Sequence, residues 1–107
     1  MKTPDILIKK AQELEEKMQR VFPSLAPLAK QCFLNTIETT TKQLDDGTYF
    51  VITGDIPAMW LRDSAAQVTH YIPLSSDPEM GKIIEGVIRR QLMYIEIDPF
   101  ANAFNKE

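Results

Sequence analysis

Apolar residues in the first part of the chain recur every three or four positions. Leu7, Ala11, Leu14, Met18 and Val21 form one such stripe, and the spacing predicts a helix over about residues 4–22. Thr3, Pro4 and Asp5 supply a capping hydroxyl, a proline for the first turn and an acid facing the positive end of the helix dipole. Pro23 stops this helix and Ser24 can cap the next. Leu25, Leu28, Ala29, Cys32, Phe33 and Ile37 then predict a second helix running to about Leu44. A connection this short folds the two helices into an antiparallel hairpin.

The pattern changes in the middle of the chain. Thr39, Thr40 and Thr41 are β-branched and weaken the end of the second helix, and Asp45-Asp46-Gly47 is a turn that breaks it. Thr48-Tyr49-Phe50-Val51-Ile52-Thr53, rich in β-branched and aromatic residues, predicts one short strand closed by Gly54-Asp55. A third helix is expected from near Trp60 or Arg62 to about Tyr71, with Pro73 ending it and Asp63 placed well for its dipole.

Asp77-Pro78-Glu79 is the clearest helix start in the chain. Met80, Ile83, Ile84, Val87, Ile88, Leu92 and Ile95 make a wide apolar stripe, so the fourth helix extends to about Glu96. Gly86 within it costs ~1 kcal/mol against alanine, which points to close packing against another helix. A loop with two aromatics, two amides and an acid follows, Asp98 to Asn105. The expected fold is mainly all-α: antiparallel helical hairpins with one short β segment.

At 107 residues the chain is at most one domain, large enough for a modest core but small for a pocket closed on all sides. Apolar residues are 44% and the net charge is −3, as in ordinary soluble proteins. Nucleic acid is excluded as a partner, because no basic patch exists beyond Arg89-Arg90 and no Lys/Arg residues interleave with aromatics. No apolar run has signal-peptide or membrane-spanning length, so a cytoplasmic location without membrane attachment is expected. One cysteine and one histidine cannot build a Cys/His metal site, and Cys32 is expected to be a small buried hydrophobe.

Polar chemistry gathers in two loops, 53–64 and 98–105, and loops on rigid helices are the usual location of binding residues. The first holds Asp55, Trp60, Arg62 and Asp63. A tryptophan face stacks on the apolar face of a sugar ring, while a guanidinium and carboxylates exchange charge-assisted hydrogen bonds with vicinal hydroxyls. A buried Trp60 beside an Arg62–Asp63 pair that holds a helix start fits the same residues. Asp55, Asp63 and Asp98 are the candidates for a local acid/base pair. His70 has no partner at useful spacing, Ser64 lacks the flanks of a nucleophile elbow, and the methionines at 18, 59, 80 and 93 read as core. No Gly-rich phosphate loop is present.

The run TGDIPAMWLRDSAAQVTHYIPL, followed downstream by DPFANAFN, resembles the N-terminal region of glycoside hydrolase family 125, the exo-α-1,6-mannosidases. The resemblance covers essentially the whole chain and is strongest over residues 49–105. Where the family pattern has tyrosine this chain has Phe100, which keeps the aromatic face and drops the hydroxyl.

The resemblance implies an (α/α)6 barrel that binds sugar through loops at one end. It implies inversion of configuration without metal or other cofactor, with one carboxylic acid protonating the glycosidic oxygen and one carboxylate activating water. Such a pair stands roughly 6.5–9.5 Å apart, and in the family both members lie well downstream of the region seen here. Residues 1–107 would then be a single partial domain, the N-terminal part of the barrel, with no catalytic residue of its own. Arg62 and Asp63 would bind hydroxyls of the terminal mannose, Asp55 would share that task or orient Arg62, Trp60 would give apolar contact or support the loop from beneath, and Asn102 would reach the sugar or hold its own loop. The partner would be an α-1,6-linked mannoside. Helix faces meant for neighbours imply association with a second copy or with the C-terminal part of the barrel. A non-catalytic helical module, binding sugar or another protein, is the alternative.

Overall fold

The computed structural model describes residues 2–106. Four α-helices and two small antiparallel sheets follow one another along the chain: α1 (Asp5–Val21), α2 (Ala26–Asn35), β1 (Thr41–Gln43), β2 (Tyr49–Val51), β3 (Met59–Trp60), α3 (Leu61–Val68), α4 (Pro78–Ile97) and β4 (Ala103–Phe104). The extents are 48 × 29 × 20 Å, so the molecule is a slab with broad faces.

Helix α1 turns Leu7 and Ala11 fully inward, and Asp5 occupies its first turn. The expected Thr3 hydroxyl cap is not used. Pro4 caps instead with its backbone, its carbonyl accepting from the N–H of Leu7 at 3.1 Å. The apolar stripe fades toward the C-terminus, where Val21 is exposed. Helix α2 packs along α1, and Lys30 Nζ donates to Gln12 Oε1 at 3.1 Å across the hairpin. Its start comes after a 3-10 turn, Pro23–Leu25, with no side-chain cap from Ser24.

Helix α2 does not run to Leu44. It ends at Asn35, widens through one π turn over Thr36–Thr40, and the chain then becomes strand β1. The threonine hydroxyls explain the change. Thr39 donates to the Asn35 carbonyl at 2.8 Å, and Thr40 and Thr41 both donate to the Thr36 carbonyl, at 2.9 and 2.8 Å. Side-chain donors that occupy helix carbonyls, together with β-branching, disfavour continuation. β1 pairs with β2 in the register Thr41↔Val51, Lys42↔Phe50 and Gln43↔Tyr49. The expected lone strand is thus half of a hairpin, and its turn contains Gly47 at φ 86°.

Helix α3 continues as a 3-10 helix over Thr69–Leu74, passing through Pro73. Tyr71 is buried there, and its hydroxyl donates to the Phe33 carbonyl at 2.6 Å, tying this segment to α2. Helix α4 begins as expected: Asp77 Oδ2 accepts from the Met80 N–H at 3.1 Å, with proline next in the chain. Met80, Ile83, Ile84, Val87 and Tyr94 join Leu7, Leu34, Ile37, Phe50, Val51, Met59 and Tyr71 in one core.

Four expectations about burial are corrected. Cys32 is exposed, while Leu34, two residues on and so on a different side of α2, is the one that joins the core. Met93 is exposed and only Met59 and Met80 are fully buried among the methionines in question. Ile88, Leu92 and Ile95 lie outside the core, so the apolar stripe of α4 is wider than the face it buries. Gly86 packs not on a helix but on the ring of Tyr49 in β2. Among the described residues no helix is long and apolar enough to cross a membrane.

Candidate functional site

The two polar loops meet. Strand β3 ends the first and β4 lies in the second, and they pair antiparallel with Met59↔Phe104 and Trp60↔Ala103. The pairing extends into the start of α3, where the Leu61 N–H donates to the Asn102 carbonyl at 3.0 Å. Met59 anchors the first loop from beneath: it is fully buried, and its sulfur accepts from the Val51 N–H at 3.4 Å. Thr53 Oγ1 accepts from the Trp60 N–H at 3.1 Å and closes the Gly54 turn.

The second loop is fixed by α4. Asp98 Oδ1 accepts from the Phe100 N–H at 3.0 Å, an Asx turn that reverses the chain. The Tyr94 hydroxyl donates to the Asn105 carbonyl at 2.9 Å, and the Tyr94 ring stacks on Phe104 with centroids 4.4 Å apart.

At the junction is a cavity of about 280 Å³ lined by Trp60, Leu61, Arg62, Asp63 and Asn102. Four of the five residues singled out in the sequence therefore share one depression. Asp55 does not line it and sits on the exposed turn before β3. Trp60 is 37% exposed, so the reading in which it is a buried core residue is removed. Arg62 Nε stands 3.6 Å from Asp63 Oδ1, with side chains 97% and 49% exposed. That separation is beyond hydrogen-bond length, so the guanidinium is not committed to holding the helix start. The Asn102 side chain donates to and accepts from nothing among the described residues; its backbone holds the loop. The depression thus offers five guanidinium donors, one carboxylate, an amide and part of an indole face, a set suited to a polyhydroxylated ligand.

His70 lies elsewhere, its ring 5.4 Å from Phe33, in a depression shared with Lys10 and Glu13. Among the described residues no group of three or more His, Cys, Asp or Glu could hold a metal ion.

Two features escaped the sequence. Arg90 is buried, with Nε donating to Thr48 Oγ1 at 2.8 Å and Nη2 paired with Asp46. The Thr48 hydroxyl and backbone N–H, and then Arg90, hold the Asp46 carboxyl below its ordinary value. The signal was the spacing Ile83, Val87, Arg90, Tyr94, which puts Arg90 on the core face. The other is Gln91, whose amide reaches the start of α3.

Residues 23–107 match the family described as metal-independent alpha-mannosidase (GH125). The chain is 41% identical over 85 residues to the meiotically up-regulated gene 157 protein of Schizosaccharomyces pombe, covering 75% of this chain and 17% of that protein. A solved structure of a Streptococcus pneumoniae metal-independent α-mannosidase, in a non-productive complex with α-1,6-mannobiose, superposes with a TM-score of 0.89 at 37% identity. That superposition covers 98% of this chain and 25% of the pneumococcal one, so the chain spans about a quarter of the length of this relative and less of the yeast protein. The mainly helical fold, with its helical hairpin and short strands, is that of the matching part of an α/α-barrel enzyme. On sequence and structure alike, the chain belongs to the GH125 family of metal-independent α-mannosidases.

Proposed function

We propose that this chain supplies the mannose-holding part of an inverting exo-α-1,6-mannosidase and not its acid/base pair. The observation that carries the reading is the single depression shared by Trp60, Arg62, Asp63 and Asn102. In this reading Arg62 and Asp63 clasp vicinal hydroxyls of the terminal mannose, Trp60 packs on the ring, and Asn102 hydrogen-bonds from the opposite loop. Inversion needs two carboxyl groups roughly 6.5–9.5 Å apart, and the residues lining the depression include one, Asp63. The acid and the base are assigned to other parts of the family's sequence. The α-1,6-mannobiose held by the pneumococcal relative supports the choice of ligand.

Calorimetry of the 107-residue chain against α-1,6-mannobiose tests this. Weak binding, abolished by Arg62→Ala and unaccompanied by mannose release, is the expected result. No heat at millimolar ligand sinks the sugar reading, and released mannose that Asp63→Asn abolishes sinks the separation of holding from cutting.

One observation favours a second reading, a helical protein-interaction module. Ile88, Leu92 and Ile95 recur at helical spacing on α4 and are exposed, Leu92 by 57%, an apolar row of the kind that marks contact surfaces. In that case light scattering shows concentration-dependent association that Leu92→Glu abolishes, with no response to sugar.

A further inference from the structure

Ser64 is fully enclosed although its side chain is polar. Its hydroxyl donates to the Leu61 carbonyl oxygen at 3.1 Å and accepts from Gln91 Nε2 at 2.8 Å. Gln91 Nε2 gives its other proton to that same Leu61 carbonyl, also at 3.1 Å. A carbonyl oxygen only accepts, so the amide nitrogen has to face it and the orientation of Gln91 follows. Both donors of one side chain from α4 therefore go to the residues that bracket Arg62 and Asp63.

Three residues further along α4, on the same helical face, Tyr94 holds the other loop through the Asn105 carbonyl. We propose that Gln91, acting through Ser64 and the Leu61 carbonyl, is a positioning residue that aims Arg62 and Asp63 into the depression. One helix then registers both walls of the site: Gln91 the α3 wall and Tyr94 the Asn102 wall. This rests on reading the depression as a mannose subsite. Mere packing of α3 on α4 would be served as well by leucine at position 91, which has similar bulk and no polar group to satisfy. Two donated hydrogen bonds instead fix rotation and register of the first helical turn, where a small angular error displaces a long side chain such as Arg62 the most.

The test titrates α-1,6-mannobiose into the 107-residue chain, its Gln91→Leu and Ser64→Ala variants and an Arg89→Gln control. Thermal midpoints and backbone 15N order parameters are recorded for each. Gln91→Leu is expected to weaken binding about tenfold, while staying folded at the titration temperature and leaving the control at the parental affinity. Order parameters at Arg62 and Asp63 should fall from about 0.85 to below about 0.6 in the variant. Unchanged affinity and order in Gln91→Leu overturn the proposal. So does a loss of affinity that disappears when folded fractions are matched by cooling. If Ser64→Ala unfolds, Gln91→Leu decides. If the parental chain gives no heat, the mannose reading fails, and the order parameters alone decide the positioning role: a drop at Arg62 and Asp63 sustains it, and none refutes it.

Discussion

The Leu61 backbone N–H donates to the Asn102 carbonyl at 3.0 Å, and this one bond joins the two polar loops at the point where α3 begins. Leu61 is the last residue before Arg62 and Asp63, so whatever anchors the Asn102 loop also sets the geometry of that pair. The anchor is Tyr94, through its hydroxyl on the Asn105 carbonyl and its ring on Phe104.

Tyr94→Phe keeps the stacking and deletes the hydroxyl donor. It is expected to cost about 1 kcal/mol in urea denaturation and to weaken mannobiose binding, since the Asn102 wall loosens. Tyr94→Ala removes the buried ring as well and should cost about 3–5 kcal/mol. Equal stability of Tyr94→Phe and the parental chain would show that ring stacking and strand pairing hold the loop without the hydroxyl.

Gly86→Ala provides a test with an unusual sign. Alanine normally stabilises a helix interior by about 1 kcal/mol over glycine. A Cβ at position 86, however, would overlap the Tyr49 ring and stand 3.3 Å from the Gly47 carbonyl. Overpacking costs about 1–3 kcal/mol, so the net effect should be destabilising. A double variant with Tyr49→Leu should be more stable than the sum of the single effects predicts, because the smaller side chain relieves the overlap. Additive effects would mean that the ring is not what excludes alanine.

The acid limb of stability should carry the mark of Asp46. Hydrogen bonds from Thr48, and then Arg90, lower its pKa in the folded chain below the ordinary 3.8. The ionised form is therefore favoured by folding, and its contribution is complete above the ordinary value. It is lost as pH falls from about 3.8 through the lower folded-state value. Thermal midpoints of the parental chain should drop across that window more steeply than those of Asp46→Asn, in which position 46 no longer titrates.

Much of this was legible because caps and turns are local. The Asp77 cap of α4, the Gly47 turn and the residues of both polar loops follow from side chains a few positions apart. The fate of Thr39-Thr40-Thr41 was not, since β-branching weakens a helix without saying that a partner strand waits at Tyr49–Val51. Arg90 and Gln91 were hidden for the same reason: each acts on a residue far away in sequence, Thr48 or Ser64. The meeting of Trp60, Arg62 and Asp63 with Asn102 needed the β3–β4 pairing, and strands of two residues leave no periodicity to read. Composition left Trp60 open between a core residue and a surface one, and only its exposure in the folded chain removes the buried reading.

Phe100 is the side chain whose stability and function should separate most cleanly. It is 93% exposed, and the Asx turn from Asp98 holds it out by its backbone alone. Folding gains almost nothing from that ring, so Phe100→Ala and Phe100→Tyr should both stay within about 0.5 kcal/mol of the parental stability in urea. Phe100 is two residues from Asn102 in sequence and outside the lining of the depression, so under the proposed mannose reading its free ring would meet a sugar beyond the first mannose. Phe100→Ala should then weaken binding of α-1,6-mannobiose while leaving methyl α-mannoside unaffected, and Phe100→Tyr should retain both. Equal loss for the two ligands would place the ring at the first mannose, and no loss for either would leave Phe100 without a part in the site.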